Sequence, residues 1–231
     1  MSFTAADVMK RASTVLQDNG AVRWTAPEMR DYLNDGLREI VTLKPNAKTE
    51  TVTLALDLGA KQALPAQYTV LCDVICNRIT GNEKAIRVLA SRQIMDAQIT
   101  GWQDSAVLPF SAAVTHVIHD LRDPRTFYVV PGNTGDGEIE AVVGTIPAQV
   151  AVPGVNVLEI ESYASAVDLS DIYQNALIDY VLYRAFSKDS AQPGAAARAA
   201  AHLELFRTAV TGFGAAETAM SLAAIAARPN A

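Results

Sequence analysis

Apolar residues recur at two spacings along this chain, and the switches between them divide it into helices, strands and helices again. Near the start, Val8, Ala12, Val15 and Leu16 fall at helical spacing behind Thr4 and Asp7, which have the layout of a capping box. Asn19-Gly20 supplies a left-handed stop. A second helix follows. Thr25 is placed to cap it, Pro27 sits in its first turn, and Met29, Tyr32, Leu33, Gly36, Leu37, Ile40 and Val41 form its apolar face up to Pro45.

From Thr49 the period becomes two, with Val52, Leu54 and Leu56 alternating against Thr51, Thr53 and Ala55. Further strands are expected at Val70–Asn77, Ala85–Ala90, Val114–His119, Phe127–Val130, Glu138–Thr145 and Asn156–Glu161, with a short helix over Ser91 to Gln98. Asp123-Pro124 reads as a turn and residues 132–137, rich in Gly, Asn and Asp, as a hairpin loop.

A third strong helix is expected from Asp168 or Ser170. Leu169, Ile172, Tyr173, Ala176, Leu177, Tyr180, Val181 and Arg184 share one stripe, and Ile178, Leu182 and Phe186 lie beside it. So wide an apolar surface implies burial on more than one side. Pro193-Gly194 opens a last, alanine-rich helix with Ala195, Ala199, Leu203, Phe206 and Val210 available for packing. Beyond Val210 the pattern weakens. Phe213, Met220, Leu222 and Ile225 have no evident mates within the chain, which reads either as a frayed tail or as an arm that orders against another subunit or a partner.

Composition narrows the field. Hydrophobic residues make up 50% of the 231, yet aromatics only 6%, so the core is built largely from small pieces. The net charge of −6 comes with scattered lysines and arginines, and no basic stripe for gripping duplex DNA stands out. Residues 141–158 carry no charge, but Pro147, Pro153, Gly144 and Gly154 interrupt them, so strands and loops explain the stretch better than a membrane span. The opening residues are too polar for a signal peptide. Cys72 and Cys76, on one face of an expected strand, would lie about 13 Å apart, too far for a disulfide. They read as buried free thiols.

The search for chemistry returns little. His116 and His119 fall on opposite faces of a strand and cannot share a metal ion, and His202 sits among helical alanines. The glycine loop lacks the Gly-Lys-Ser/Thr ending of a phosphate-binding loop. Asp120, Arg122, Asp123 and Arg125 form a mixed-charge cluster whose expected role is an ion-pair network fixing the turn at Pro124, or a subunit contact. No catalytic, cofactor or metal site is expected.

The order of segments resembles the adaptor, or head-to-tail joining, proteins of short-tailed phages. The likeness rests on Arg11 to Asp18, Trp24, Tyr32 to Val41, Leu64 to Ala66, Asp123 to Pro131, Asp171 to Leu177 and Tyr183 to Asp189. It implies a virion protein of the phage neck, not an enzyme. Such a subunit joins a twelve-membered ring with copies of itself, docks on the portal protein, accepts a tail nozzle or tube protein, and lets genomic DNA pass without sequence specificity. It implies an α+β fold: helices from both ends (1–48 and 166–212) in one bundle, an inserted antiparallel β-sandwich or barrel-like module (49–165), and an extended C-terminal arm (213–231). Phe213, Met220, Leu222 and Ile225, with Asp123 and Arg125, are the expected interface residues. A neck completion or stopper protein is the nearest rival reading, and a phage-encoded hydrolase or nucleotide-binding enzyme a remote one.

Overall fold

The computed structural model describes residues 3–226 apart from 80, 82, 90, 121, 122 and 190, with side chains left undescribed at 120 and 213–226. The chain runs α1 (Ala5–Leu16), α2 (Ala26–Leu43), β1 (Thr49–Ala55), β2 (Gly59–Ala63), β3 (Tyr68–Asn77), β4 (Arg87–Leu89), α3 (Arg92–Gln98), β5 (His116–Asp120), β6 (Asp123–Asn133), β7 (Glu138–Thr145), α4 (Gln174–Lys188) and α5 (Ala195–Ala226). It is an α+β protein of two compact units, residues 1–47 with 147–231, and residues 48–146.

In the helical unit the capping box forms as expected. Asp7 N–H donates to Thr4 Oγ1 at 3.2 Å, and Thr4 N–H donates back to the Asp7 carboxylate at 2.8 Å. The left-handed stop falls earlier than Asn19-Gly20, at Gln17 with φ of 58°, whose N–H bonds the carbonyls of Ser13 and Thr14. Asp18 accounts for the shift. Its carboxylate accepts N–H bonds from Val22, Arg23 and Trp24 at 3.1, 2.9 and 2.9 Å, so the turn is wound around one side chain. Pro27 sits in the first turn of α2, whereas the Thr25 side chain makes no cap bond. Met29, Leu33, Leu37 and Ile40 from α2 meet Leu177, Val181 and Phe206 in the core, all essentially fully buried.

The strand expected at Asn156–Glu161 is absent. Asn156 takes a left-handed φ of 53°, which breaks any extended run, and residues 160–162 form a short 3-10 turn. The segment joins the helices instead, burying Val150, Ile160 and Tyr163 in their core. Asn34, buried in mid-α2, holds it there: the amide donates to Val150 O at 3.2 Å and accepts from Val150 N–H at 2.8 Å. A 3-10 turn over residues 171–173 likewise delays α4 to Gln174.

The strand unit contains two open sheets, ordered β1-β7-β3 and β2-β6-β5-β4. No barrel closes. β6 and β7 lie in different sheets, so residues 132–137 form a corner and not a hairpin. β1 pairs with β7 and β2 with β6, so the β1–β2 and β6–β7 corners carry one antiparallel ribbon from sheet to sheet. Asp123 and Pro124 belong to β6 and not to a turn, because Asp120 pairs with Asp123. β2 had no counterpart among the expected strands. Its Gly-Ala-Lys-Gln-Ala sequence holds no β-branched or aromatic residue. Leu54, Val74, Ile139, Ala141 and Val143 of the first sheet share one apolar cluster with Val117, Phe127 and Val129 of the second. Alternate residues Ile118, Tyr128 and Val130 face the other way, onto Met95 of α3 and Trp102.

Three buried amides secure the loops of this unit. Gln62 accepts from Asp57 N–H and donates to Asp57 O and Gly59 O. Asn77 accepts from Val114 N–H and donates to Lys84 O and Val114 O. Asn133, fully buried, accepts from Gly135 and Gly137 N–H and donates to Ser111 O and Ala112 O.

Candidate assembly surfaces

The helical unit is built to hold α4 rigidly between α2 and α5. On one side Gly36 allows α2 to approach closely: a Cβ there would lie 3.0 Å from the Tyr180 ring and 3.1 Å from Leu177. Flanking this contact is a ladder of charged and aromatic groups. Arg184 donates to Asp35 Oδ2 at 2.7 Å and lies over the Tyr32 ring, 5.2 Å from its centroid. Glu28 accepts from Tyr32 OH and from Lys188 Nζ, each at 2.7 Å. Arg23 pairs with Asp189, and Trp24 Nε1 donates to Ala185 O at 3.1 Å. Trp24, Tyr32, Asp35, Arg184, Lys188 and Asp189 are among the residues that carried the family likeness.

The carboxylates of this unit give it an acid limit. Burial works to raise Glu28, but the bonds from Lys188 and Tyr32 outweigh it and hold the carboxyl below its ordinary 4.5. Asp18 is likewise lowered, its three backbone donors overcoming burial, and the Thr4 hydrogen bonds lower Asp7. The unfolded chain therefore takes up protons first as pH falls. The stabilisation is complete above the ordinary carboxylate values and is lost as pH drops through the lower folded ones. We expect the thermal midpoint of the helical unit, followed by circular dichroism, to fall below about pH 4. Lys188→Met should melt lower at pH 7 and show a shallower fall in acid.

On its other side α4 carries α5. The two run antiparallel: Phe186 stacks on His202 with centroids 5.7 Å apart, and Tyr180 meets Phe206 edge-on at 4.9 Å. His202 Nδ1 lies 2.9 Å from Asp179 Oδ1, so it is packed between the helices and only partly exposed. α4 has 15 residues and α5 has 32, roughly 22 and 48 Å of helix. By this pairing α4 ends opposite about residue 212, and α5 continues for roughly 20 Å more. Residues 213–226, expected as an extended arm, thus continue as helix. Gly212 and Gly214 each cost about 1 kcal/mol of helix propensity, which the surrounding alanines offset. Phe213, Met220, Leu222 and Ile225 lie on this overhang. Residues 227–231 lie outside the described residues.

Asp123 and Arg125 are exposed at the start of β6. Arg125 is engaged within its own unit, donating to Tyr68 O at 3.0 Å and Leu64 O at 2.9 Å. It fastens the β2–β3 loop to β6, where an ion-pair network had been expected. Arg122 lies outside the described residues.

His116 and His119 occur three residues apart on β5, opposite Val130 and Phe127, on opposite faces. Among the described residues no three His, Cys, Asp or Glu side chains gather to hold a metal ion. A groove of about 550 Å³ beside Trp102 is lined by Asp96, Asp104, Ser105 and Phe110, and Asp96 is occupied by Trp102 Nε1 at 2.9 Å. The two cysteines are unpaired and half-buried, a shallower placement than expected. Burial pushes up the thiols of Cys72 and Cys76, which works against nucleophilic chemistry. Among the described residues no helix is long and apolar enough to cross a membrane.

The chain thus holds a braced helical unit whose last helix runs on past α4, and a strand unit with clamped loops. The family model for SU10 adaptor protein matches residues 3–228, nearly the whole chain, and the chain belongs to that family of phage adaptor proteins. No curated protein matches it.

Proposed function

We propose that this protein is a head-to-tail adaptor subunit of the virion neck, docking on the portal through the overhanging part of α5. What supports the reading is the length of that helix. A little over half of α5, up to about residue 212, suffices to pack on α4, and the remainder bears Phe213, Met220, Leu222 and Ile225 with a single charged residue, Glu217, before Ala226. A helix of that composition gains stability by burying its apolar side chains against another protein.

In this reading the strand unit presents Asp123 and Arg125 to neighbouring subunits, and copies close into a ring of twelve beneath the portal. Ring closure requires a head-to-tail interface whose rotation closes on itself. The opposite face of the ring accepts the tail nozzle or tube protein. An acidic chain suits a channel wall, because a basic lumen would hold passing DNA by counterion release.

Truncation before Phe213 tests the docking role. The shortened protein keeps every described core residue, so it should retain its thermal midpoint, with its helical circular dichroism lowered only by the removed turns of α5. Its affinity for purified portal should fall by more than about tenfold, the equivalent of about 1.4 kcal/mol. Equal binding by truncated and full-length protein would remove α5 from the docking interface.

A further inference from the structure

Most strand edges in the β unit are defended, and one is not. A free edge invites another strand, and proteins blunt edges with bulges, short length, proline or cover. β2 is bulged between Gly59 and Lys61, and β4 has only three residues. β3 is bulged three times, and its outer side is covered: Ile86 N–H bonds Ile75 O, and Asn77 N–H bonds Lys84 O. β1 has none of these devices. It pairs with β7 in unbroken register over all seven residues, and its Thr-Glu-Thr-Val-Thr-Leu-Ala sequence contains no proline and favours strand. Among the described residues, no backbone hydrogen bond reaches β1 from the side away from β7.

We propose that β1 pairs antiparallel with β1 of a second copy, about a two-fold axis through Val52. The strand is complementary to itself in that register. Thr51 faces Thr53 of the other copy, Glu50 faces Leu54, and Thr49 faces Ala55, so all seven residues pair and the one charge never meets its own kind. Cross-strand Thr–Thr pairs are favourable, whereas facing like charges are not. Val52 and Leu54 point to the side that carries the apolar cluster, so pairing extends that face across the axis, while Thr51 and Thr53 stay exposed. The contact closes at two copies and cannot propagate around a ring, so it belongs to the free protein. It stands independently of the adaptor reading.

Light scattering on the full-length protein, without portal, tests it. Mass should rise from 24.6 kDa towards twice that value between roughly 1 and 100 µM. Thr51→Lys with Thr53→Lys sets lysine against lysine at both facing pairs, on exposed positions that leave the fold intact by circular dichroism. It should raise the dissociation constant about tenfold. Thr51→Lys with Thr53→Glu sets lysine against glutamate at the same pairs and should restore association. A wild type that stays at 24.6 kDa throughout overturns the proposal. So does self-association that the double-lysine variant leaves unchanged, or a Lys/Glu variant as weak as the double lysine. If the wild type is monomeric but the double-lysine variant binds tail protein less tightly, the edge serves another partner and the second-copy assignment is wrong.

Discussion

Asn133→Ala should cost the strand unit about 4 kcal/mol, from four lost hydrogen bonds at about 1 kcal/mol each. Asn133 ends β6 at the corner between the two sheets, and no part of it reaches solvent. Its carbonyl oxygen serves Gly135 and Gly137 N–H at 2.8 and 3.1 Å, while its amide nitrogen serves Ser111 O and Ala112 O at 3.2 and 2.9 Å. Removing the amide leaves two donors and two acceptors without their shared partner, and the Gly137 N–H among them is buried. Gly137 is packed so closely that a Cβ there would overlap both Asn133 Nδ2 and Ala112 O, so the corner cannot shift to recover the bonds. In a unit of about 100 residues the loss corresponds to a drop in melting temperature on the order of 20 °C. Asn133→Asp keeps the acceptors but aims a carboxylate at two carbonyls, and should fare no better. Calorimetry of both variants checks this. A melting temperature within about 3 °C of wild type would mean that the corner is held by something else.

Gly36→Leu should be nearly as damaging to the helical unit. Glycine in mid-helix normally costs about 1 kcal/mol relative to alanine, so its presence at the centre of α2 needs a reason. The reason is the 3.0 Å from its would-be Cβ to the Tyr180 ring and the 3.1 Å to Leu177. A leucine must push α2 away from α4, opening the core around Leu33, Leu37 and Leu177 and breaking the Arg184–Asp35 ion pair. Overpacking of this kind costs about 3 kcal/mol. Gly36→Ala is the informative companion. Its helix propensity gain opposes a milder clash, so it should fall close to wild type. If Gly36→Leu melts with wild type in denaturant titrations followed at 222 nm, the close approach of α2 and α4 is not what selects glycine.

These two positions mark how far the sequence alone could be read. Gly36 was visible as part of the apolar face of α2, because helical spacing alone places it there. The capping box at Thr4 and Asp7, Pro27, and the broad stripe of α4 were visible for the same reason: each is local physics within a few residues. What escaped reading depends on distant partners. A Gly, Asn and Asp loop such as 132–137 serves a hairpin and a sheet corner equally well, and only the strand pairing decides between them. β2 has no β-forming residues and exists because β6 offers it a partner. The buried amides Asn34, Gln62, Asn77 and Asn133 look like turn or surface residues until the carbonyls they clamp are in view. Asn34 left one faint signal, a poor helix former in the middle of α2 beside its apolar face. Arg125 stood out in the sequence only through the charges around it, whereas its described partners are the distant carbonyls of Leu64 and Tyr68. The helical backbone of residues 213–226 was hard to read because a stretch of alanines with scattered apolar residues carries no strong amphipathic stripe.

The docking role proposed for α5 is tested most directly by imaging DNA-filled heads of the phage with this protein added. Cryo-electron microscopy should show a ring of its subunits below the portal, with density for the last turns of α5 running up against portal residues. Heads that acquire no such ring, or a ring that touches the portal through the strand unit while α5 points away, would contradict the account.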